Sequence, residues 1–243
     1  EYVPDTFPSL VLKLKWTSEV LADHPFYVTS VVTGDIDSDG KIEVITPKST
    51  GDWTLNNAKN NTVILDGLTG STKSDFTFTT LSNAYSLSSI SIADADGDGK
   101  AELFSILFNT ILCYSSDGAL LWESDPLKDQ IGRLINIADF NADGIPELYV
   151  GNQILNAQTG KLLVSGSASE GCSNLGSILP GCYFKHTIAA DLLPTPGLEL
   201  AAGNTAYQVM INNPNGTIGN IMLPITAKSP VTDGLTSVGD IDG

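Results

Sequence analysis

The chain has 243 residues, with 28 Asp and Glu against 12 Lys and Arg and a formal net charge of −16. So acidic a chain, without a basic stripe, excludes a nucleic-acid binder that works through phosphate contacts, and no apolar run is long enough for a membrane-spanning helix. With 42% hydrophobic residues it can bury a sizeable core, which excludes a solvated polyanion.

Residues 1–34 form a lead-in segment. Leu10 to Trp16 alternates apolar and polar residues, as a strand with one wet face does. It reads as the outer strand of a unit whose other strands do not precede it. Tyr27 to Val32 is a strand that leads into the first acidic loop.

That loop is Asp35-Ile36-Asp37-Ser38-Asp39-Gly40-Lys41-Ile42-Glu43. It returns as Asp94-Ala95-Asp96-Gly97-Asp98-Gly99-Lys100-Ala101-Glu102 and, with asparagine at its third position, as Asp139-Phe140-Asn141-Ala142-Asp143-Gly144-Ile145-Pro146-Glu147. A fourth copy, Asp191 to Glu199, keeps the first and last acids, loses those at positions 3 and 5, and has its glycine displaced. Asp240-Ile241-Asp242-Gly243 opens a fifth. Starts at 35, 94, 139, 191 and 240 give a period near fifty residues, the mark of a repeat architecture. Over half of the acidic residues lie in these copies, so most of the negative charge is concentrated there.

Each unit follows one grammar. A short apolar strand enters the acidic loop and a second leaves it, as in Glu102 to Leu107. A third follows, as in Ile111 to Tyr114. A glycine-bearing turn such as Ser115-Ser116-Asp117-Gly118 then leads to a fourth, such as Ala119 to Trp122. Helical periodicity is nearly absent. Four antiparallel strands per fifty residues predict an all-β fold, a β-propeller of four-stranded blades with the acidic loop between first and second strands. Four units, the start of a fifth and a stray strand do not close a ring, so the expectation is part of a longer chain and a ring of roughly six to eight blades.

Carboxylates at positions 1, 3, 5 and 9 around a tight turn converge on one point, and crowding them is unfavourable without a positive charge among them. Hard divalent cations want such an oxygen set, and calcium tolerates its irregularity better than magnesium. Gly99 allows the positive φ that curls the chain round an ion. The carbonyl at position 7, that of Lys100, is a backbone ligand candidate. An EF-hand places its last glutamate at position 12 between helices, and here the acid falls at 9 between strands. The acid pairs resemble a glycosidase acid and nucleophile, but the glycine and the repetition favour metal.

These Asp-x-Asp-x-Asp-Gly-x-x-Glu loops between strands resemble the FG-GAP or VCBS-type repeats of integrin α heads and many bacterial surface proteins, over roughly residues 28–243. The resemblance implies Ca2+ in loops on one face of a propeller. Its ligands are then Asp35, Asp37, Asp39, Lys41 (backbone) and Glu43; Asp94, Asp96, Asp98, Lys100 (backbone) and Glu102; and Asp139, Asn141, Asp143, Ile145 (backbone) and Glu147. Asp240 and Asp242 form a partial site. Phe-Gly and Gly-Ala-Pro signatures are not clear in the second unit, which points away from an integrin and toward a bacterial secreted or cell-surface protein.

Three cysteines are present. Cys172 and Cys182 flank a Gly/Ser/Pro-rich loop, where either a bridge or two thiols is open; Cys113 reads as a buried thiol. A bridge suits an extracellular chain. The start at Glu1 reads as a processed or trimmed terminus, and the sequons at Asn60 and Asn215 carry little weight. His24 and His186 lack partners at ligand spacing and read as ordinary surface or packing residues. Trp53, in a polar loop, reads first as packing on its own unit and second as a residue that stacks on a sugar or protein partner; the 165–181 insertion is the other place for recognition.

The expected function is therefore a non-catalytic, calcium-stiffened module for adhesion or for binding a protein or glycan, in contact with other parts of the same long chain. The alternatives are a structural spacer or assembly subunit, or a polysaccharide lyase or hydrolase on a calcium propeller. The enzyme would need a rim of Arg, Lys, His or Tyr.

Overall fold

A computed structural model describes residues 13–18, 31–50, 59–77, 90–107, 109–128, 134–174, 182–225, 233–234 and 236–239. Among them the protein is all β, with no helix. Four antiparallel four-stranded sheets follow one another along the chain. The first holds β1 (Val32–Gly34), β2 (Glu43–Thr50), β3 (Lys59–Asp66) and β4 (Thr72–Thr77). The second holds β5 (Ile90–Ala93), β6 (Glu102–Leu107), β7 (Thr110–Tyr114) and β8 (Leu120–Glu123). The third holds β9 (Asn136–Ala138), β10 (Glu147–Val150), β11 (Gln153–Asn156) and β12 (Leu162–Ser165). A hairpin of β13 (Cys172–Asn174) and β14 (Cys182–Lys185) precedes the fourth, which holds β15 (Thr187–Ala190), β16 (Glu199–Ala202), β17 (Thr205–Met210) and β18 (Ile221–Pro224). Every sheet is a meander in which sequence neighbours pair.

The register of the acidic loops is the same in all four sheets. The residue before the loop pairs with the loop's last glutamate: Gly34 with Glu43, Ala93 with Glu102, Ala138 with Glu147 and Ala190 with Glu199. The last strand joins through a register shift in the first three sheets, at Ile64/Leu65, Cys113/Tyr114 and Ile154/Leu155. Lys73, Leu121 and Leu163 are the extra residues of these bulges.

Apolar packing lies between consecutive sheets. Ile36, Ile45 and Ile64 pack with Leu103, Leu112 and Tyr114. Phe104, Ile111 and Cys113 pack with Leu148, Val150 and Leu155. Tyr149, Ile154 and Val164 pack with Leu200, Tyr207 and Val209. An inner sheet is thus buried on both faces. This is why β6 and β10 read as continuous apolar runs rather than alternating ones.

Two sequence expectations change. Within Leu10 to Trp16, the described part (13–18) has no strand pairing. It is instead held by side chains: Trp16 Nε1 donates to the Gly67 carbonyl at 3.1 Å, and its ring lies against Gly70 in the turn before β4. Trp122 of β8 lies in the same way against Gly160 in the turn before β12, and the serine two residues on, Ser18 or Ser124, is buried in both cases. Its described part thus sits against the next sheet as Trp122 and Ser124 of the second sheet do. The second change is in the 165–181 insertion, which carries the strand β13 and so forms a hairpin with β14 rather than a plain loop. Cys172 there is disulfide-bonded, which meets the bridge expectation on that side; the Cys182 side chain lies outside the described ones. Cys113 is a buried free thiol whose pKa burial pushes up, as expected. His24, Trp53, Asp240, Asp242 and most of Tyr27 to Val32 lie outside the described residues.

Candidate metal centres

The first three acidic loops are built by the same hydrogen bonds. The position 1 carboxylate accepts from the glycine N–H at position 6: Gly40 on Asp35, Gly99 on Asp94 and Gly144 on Asp139, each at 2.9 Å. The position 3 side chain accepts from the position 5 N–H, in Asp37, Asp96 and Asn141. The position 5 carboxylate accepts from the position 7 N–H, so Lys41, Lys100 and Ile145 bind Asp39, Asp98 and Asp143 at 2.7–2.8 Å. These bonds wind the side chains toward one centre, and the position 6 glycines sit at positive φ (Gly40, Gly99, Gly144).

The position 9 glutamate closes the loop from below. Glu43, Glu102, Glu147 and Glu199 are all buried. One oxygen of each accepts from the N–H at position 2: Ile36 at 3.0 Å, and Ala95, Phe140 and Leu192 at 2.8 Å. The residues at position 2 anchor the loop through buried side chains (Ile36, Ala95, Phe140). Their carbonyls also stitch neighbouring loops: Ile36 accepts from Ala101 and Phe140 from Leu198, both at 3.0 Å. Ser38 also donates to the Gly99 carbonyl. Loops of successive sheets therefore lie side by side on one edge.

In two loops three of the four candidate acids bring oxygens together. One carboxylate oxygen each from Asp35, Asp37 and Asp39, and one each from Asp94, Asp96 and Glu102, lie within 4.8 Å of one another. In the second loop the negative charge is uncompensated: burial pushes the Glu102 pKa up, and Asp96, Asp98 and Asp94 push it further. Burial likewise pushes Glu147 up to about 7, with Asp143 and Asp139 adding to it and the Phe140 N–H opposing. A buried carboxylate among others is costly, and a divalent cation removes that cost by direct coordination. The converging oxygens of the second loop fit a divalent cation on this ground, and the third loop shares the crowded buried glutamate.

The first and fourth loops solve the problem differently. In the first, Lys73 Nζ reaches Glu43 at 2.7 Å, Asp37 at 3.0 Å and Asp39 at 3.5 Å, and Glu43 and Asp37 push its pKa up. Sequence reasoning missed Lys73, although a signal exists. Counting three residues past the turn glycines Gly70, Gly118 and Gly160 gives Lys73, Leu121 and Leu163, so one unit carries a charge where two carry leucine. In the fourth loop Glu199 accepts from both Leu192 and Leu193 N–H, at 2.8 and 3.0 Å, while Thr195 Oγ1 approaches its other oxygen. The chain itself satisfies this glutamate. His186 holds the Thr236 carbonyl at 2.9 Å. Asp233 accepts from the N–H groups of Glu170 and Cys172 and from the Ser169 hydroxyl, tying the chain's end to the β13 region.

No known family profile matches the chain, and no curated protein does. Among solved structures it is similar to the V. cholerae biofilm matrix protein Bap1, with a TM-score of 0.52 and 24% sequence identity, over 81% of this chain and 32% of that one. At that identity the likeness is one of fold, and the chain spans about a third of Bap1's length. An Agrocybe aegerita lectin specific for non-reducing terminal N-acetylglucosamine aligns over 82% of this chain and 66% of its own, at 12% identity and a TM-score of 0.37, too remote to carry an argument.

Proposed function

We propose that the chain is a non-catalytic, calcium-stabilised propeller module of an extracellular or cell-surface protein, serving adhesion through a protein or glycan ligand. The observation that carries the metal reading is the buried Glu102, held by Ala95 N–H and crowded by Asp94 and Asp96. Calcium in the second and third loops fixes the turn and the register of the two strands it joins. That role is structural: the backbone stitches the first loop to the second and the third to the fourth, so an ion in the second or third loop stiffens its stitched neighbour.

The propeller reading is supported by four meander sheets in series, packed face to face, with all four acidic loops in one register. The extracellular reading is supported by the disulfide at Cys172 and by the affinity range of calcium modules outside cells. Bap1, whose fold is similar, is a biofilm matrix protein, and an adhesive role in such a matrix suits a rigid module with few cationic groups for catalysis. The part of the chain that meets the ligand is assigned to the loop around Trp53 and to the 165–181 insertion.

Thermal unfolding in calcium and in chelator tests the metal reading. A site filled at a hundred times its Kd adds about 2.7 kcal/mol, which is a rise of several degrees in Tm for a chain of this size. Asp96→Ala should remove much of that rise. An unchanged Tm on adding calcium would remove the assignment. Replacing residues 51–58 or the 165–181 tip, with Tm intact, should abolish binding to a glycan array or to matrix protein; unchanged binding would favour a spacer.

A further inference from the structure

We infer that Lys73 is the resident cation of the first acidic loop: its ammonium neutralises that loop's carboxylates, and a divalent ion enters only by displacing it. The inference rests on the calcium reading of the other loops. The first loop has the full set of acids, so its motif alone counts it as an equal site. Its geometry does not. The ammonium carries three N–H donors and meets three carboxylates, those of Glu43, Asp37 and Asp39. Glu43 is fully buried, and its two oxygens are divided between Lys73 Nζ and the Ile36 N–H.

Calcium takes carboxylate oxygens at roughly 2.3–2.6 Å. The oxygens it would need here are those that Lys73 already holds, and two cations cannot share them without strong repulsion. Lys73 is delivered by the β4 bulge, where the second and third sheets place Leu121 and Leu163. Those loops receive no charge from that position, because leucine stands there. One motif therefore has two ways of being neutralised. The first loop is ordered at any calcium level and, through Ser38 and Ile36, lends that order to the second.

The test compares the full chain with Lys73→Leu, the residue found at this position in the next two sheets, and with Lys73→Arg. Calcium uptake is read by isothermal titration, and Tm is read in chelator and in calcium. Lys73→Leu should bind one more equivalent than the wild type, or bind at this loop at least ~10-fold tighter. Its Tm should be below wild type in chelator and should rise more on adding calcium. Lys73→Arg, which keeps the charge, should titrate as wild type. Equal uptake and affinity in wild type and Lys73→Leu would overturn the inference while leaving the calcium reading in place, since Asp96→Asn would still lower uptake. No uptake by any variant would remove both. If Lys73→Leu does not fold in chelator, recovery on adding calcium supports the inference, and failure to fold at any calcium level overturns it.

Discussion

The backbone N–H of Leu162, the first residue of β12, donates to the Asp125 carboxylate at 3.0 Å, joining the end of the second sheet to the last strand of the third. Asp125 also gives its own N–H to the Gly160 carbonyl at 2.9 Å and meets Lys161 Nζ at 3.1 Å. The Leu162 hydrogen bond holds the Asp125 carboxyl below its usual value; burial opposes this and Lys161 assists. Asp125→Ala should cost about 1 kcal/mol in urea unfolding, the usual net worth of such a bond, with little from the exposed ion pair. A depressed folded pKa means the contribution is complete above the unfolded value, 3.8, and is lost as pH falls through the folded one. The stability gap between wild type and Asp125→Ala should therefore close in that acid window. A gap that persists below it would show that the carboxylate's charge is not what clamps the sheets.

Gly160 takes φ of +68°, and a Cβ there would lie 2.6 Å from Trp122 Cε3 and 2.8 Å from Ser124 Cα. Gly160→Ala adds a left-handed penalty of roughly 1–2 kcal/mol to the displacement of a packed indole. The loss on unfolding should exceed 2 kcal/mol, a rough sum of strain and overpacking. Gly70→Ala should cost as much, because Trp16 faces it in the same way. A Gly70→Ala loss no larger than the left-handed penalty of roughly 1–2 kcal/mol would mean that Trp16 does not pack on this turn.

How the repeat was legible follows from these residues. The Asp-x-Asp-x-Asp-Gly spacing and the alternation of short apolar runs with glycine turns placed the strands that leave each acidic loop and follow it to within a few residues, because turn chemistry is local. The expected strand Ile111 to Tyr114 is β7, Thr110–Tyr114. What could not be read is non-local. Lys73 lies 30 residues beyond Glu43, and only the β4 bulge turns it into the loop. Leu10 to Trp16 has strand alternation, yet strand formation needs a partner, and its described part is held by side chains, with Trp16 Nε1 and Lys15 Nζ both donating to the Gly67 carbonyl. The 165–181 insertion has loop composition, and pairing with β14 overrides it.

The fourth loop supplies a contrast. Glu199 accepts two backbone N–H groups and is buried. Glu199→Ala should strand both donors and cost roughly 2–4 kcal/mol, equally in chelator and in calcium. Asp191→Asn should leave the calcium-dependent rise in Tm unchanged. A calcium-dependent effect of either substitution, measured by thermal unfolding, would place an ion in a loop that the chain itself satisfies.

Glu147 should behave in the opposite sense. Its pKa is raised to about 7 by burial, then by Asp143 and Asp139, so the folded state holds the proton more tightly than the unfolded chain does. The penalty is absent below the ordinary value of 4.5, grows as pH rises through the window up to about 7, and is complete above it. Glu147→Gln keeps an oxygen for the Phe140 N–H but carries no charge. In chelator at pH 8 it should equal or exceed wild type in stability, by up to ~2 kcal/mol, and the difference should vanish below pH 4.5. In calcium the proposed metal role inverts the order: the wild type gains a ligand carboxylate that the amide cannot replace, and Glu147→Gln becomes the less stable protein. Melting both proteins in both conditions gives four Tm values. A crossing between chelator and calcium assigns Glu147 to the ion. Parallel behaviour, with the variant above or below in both, would leave Glu147 a buried carboxyl that serves the Phe140 backbone alone.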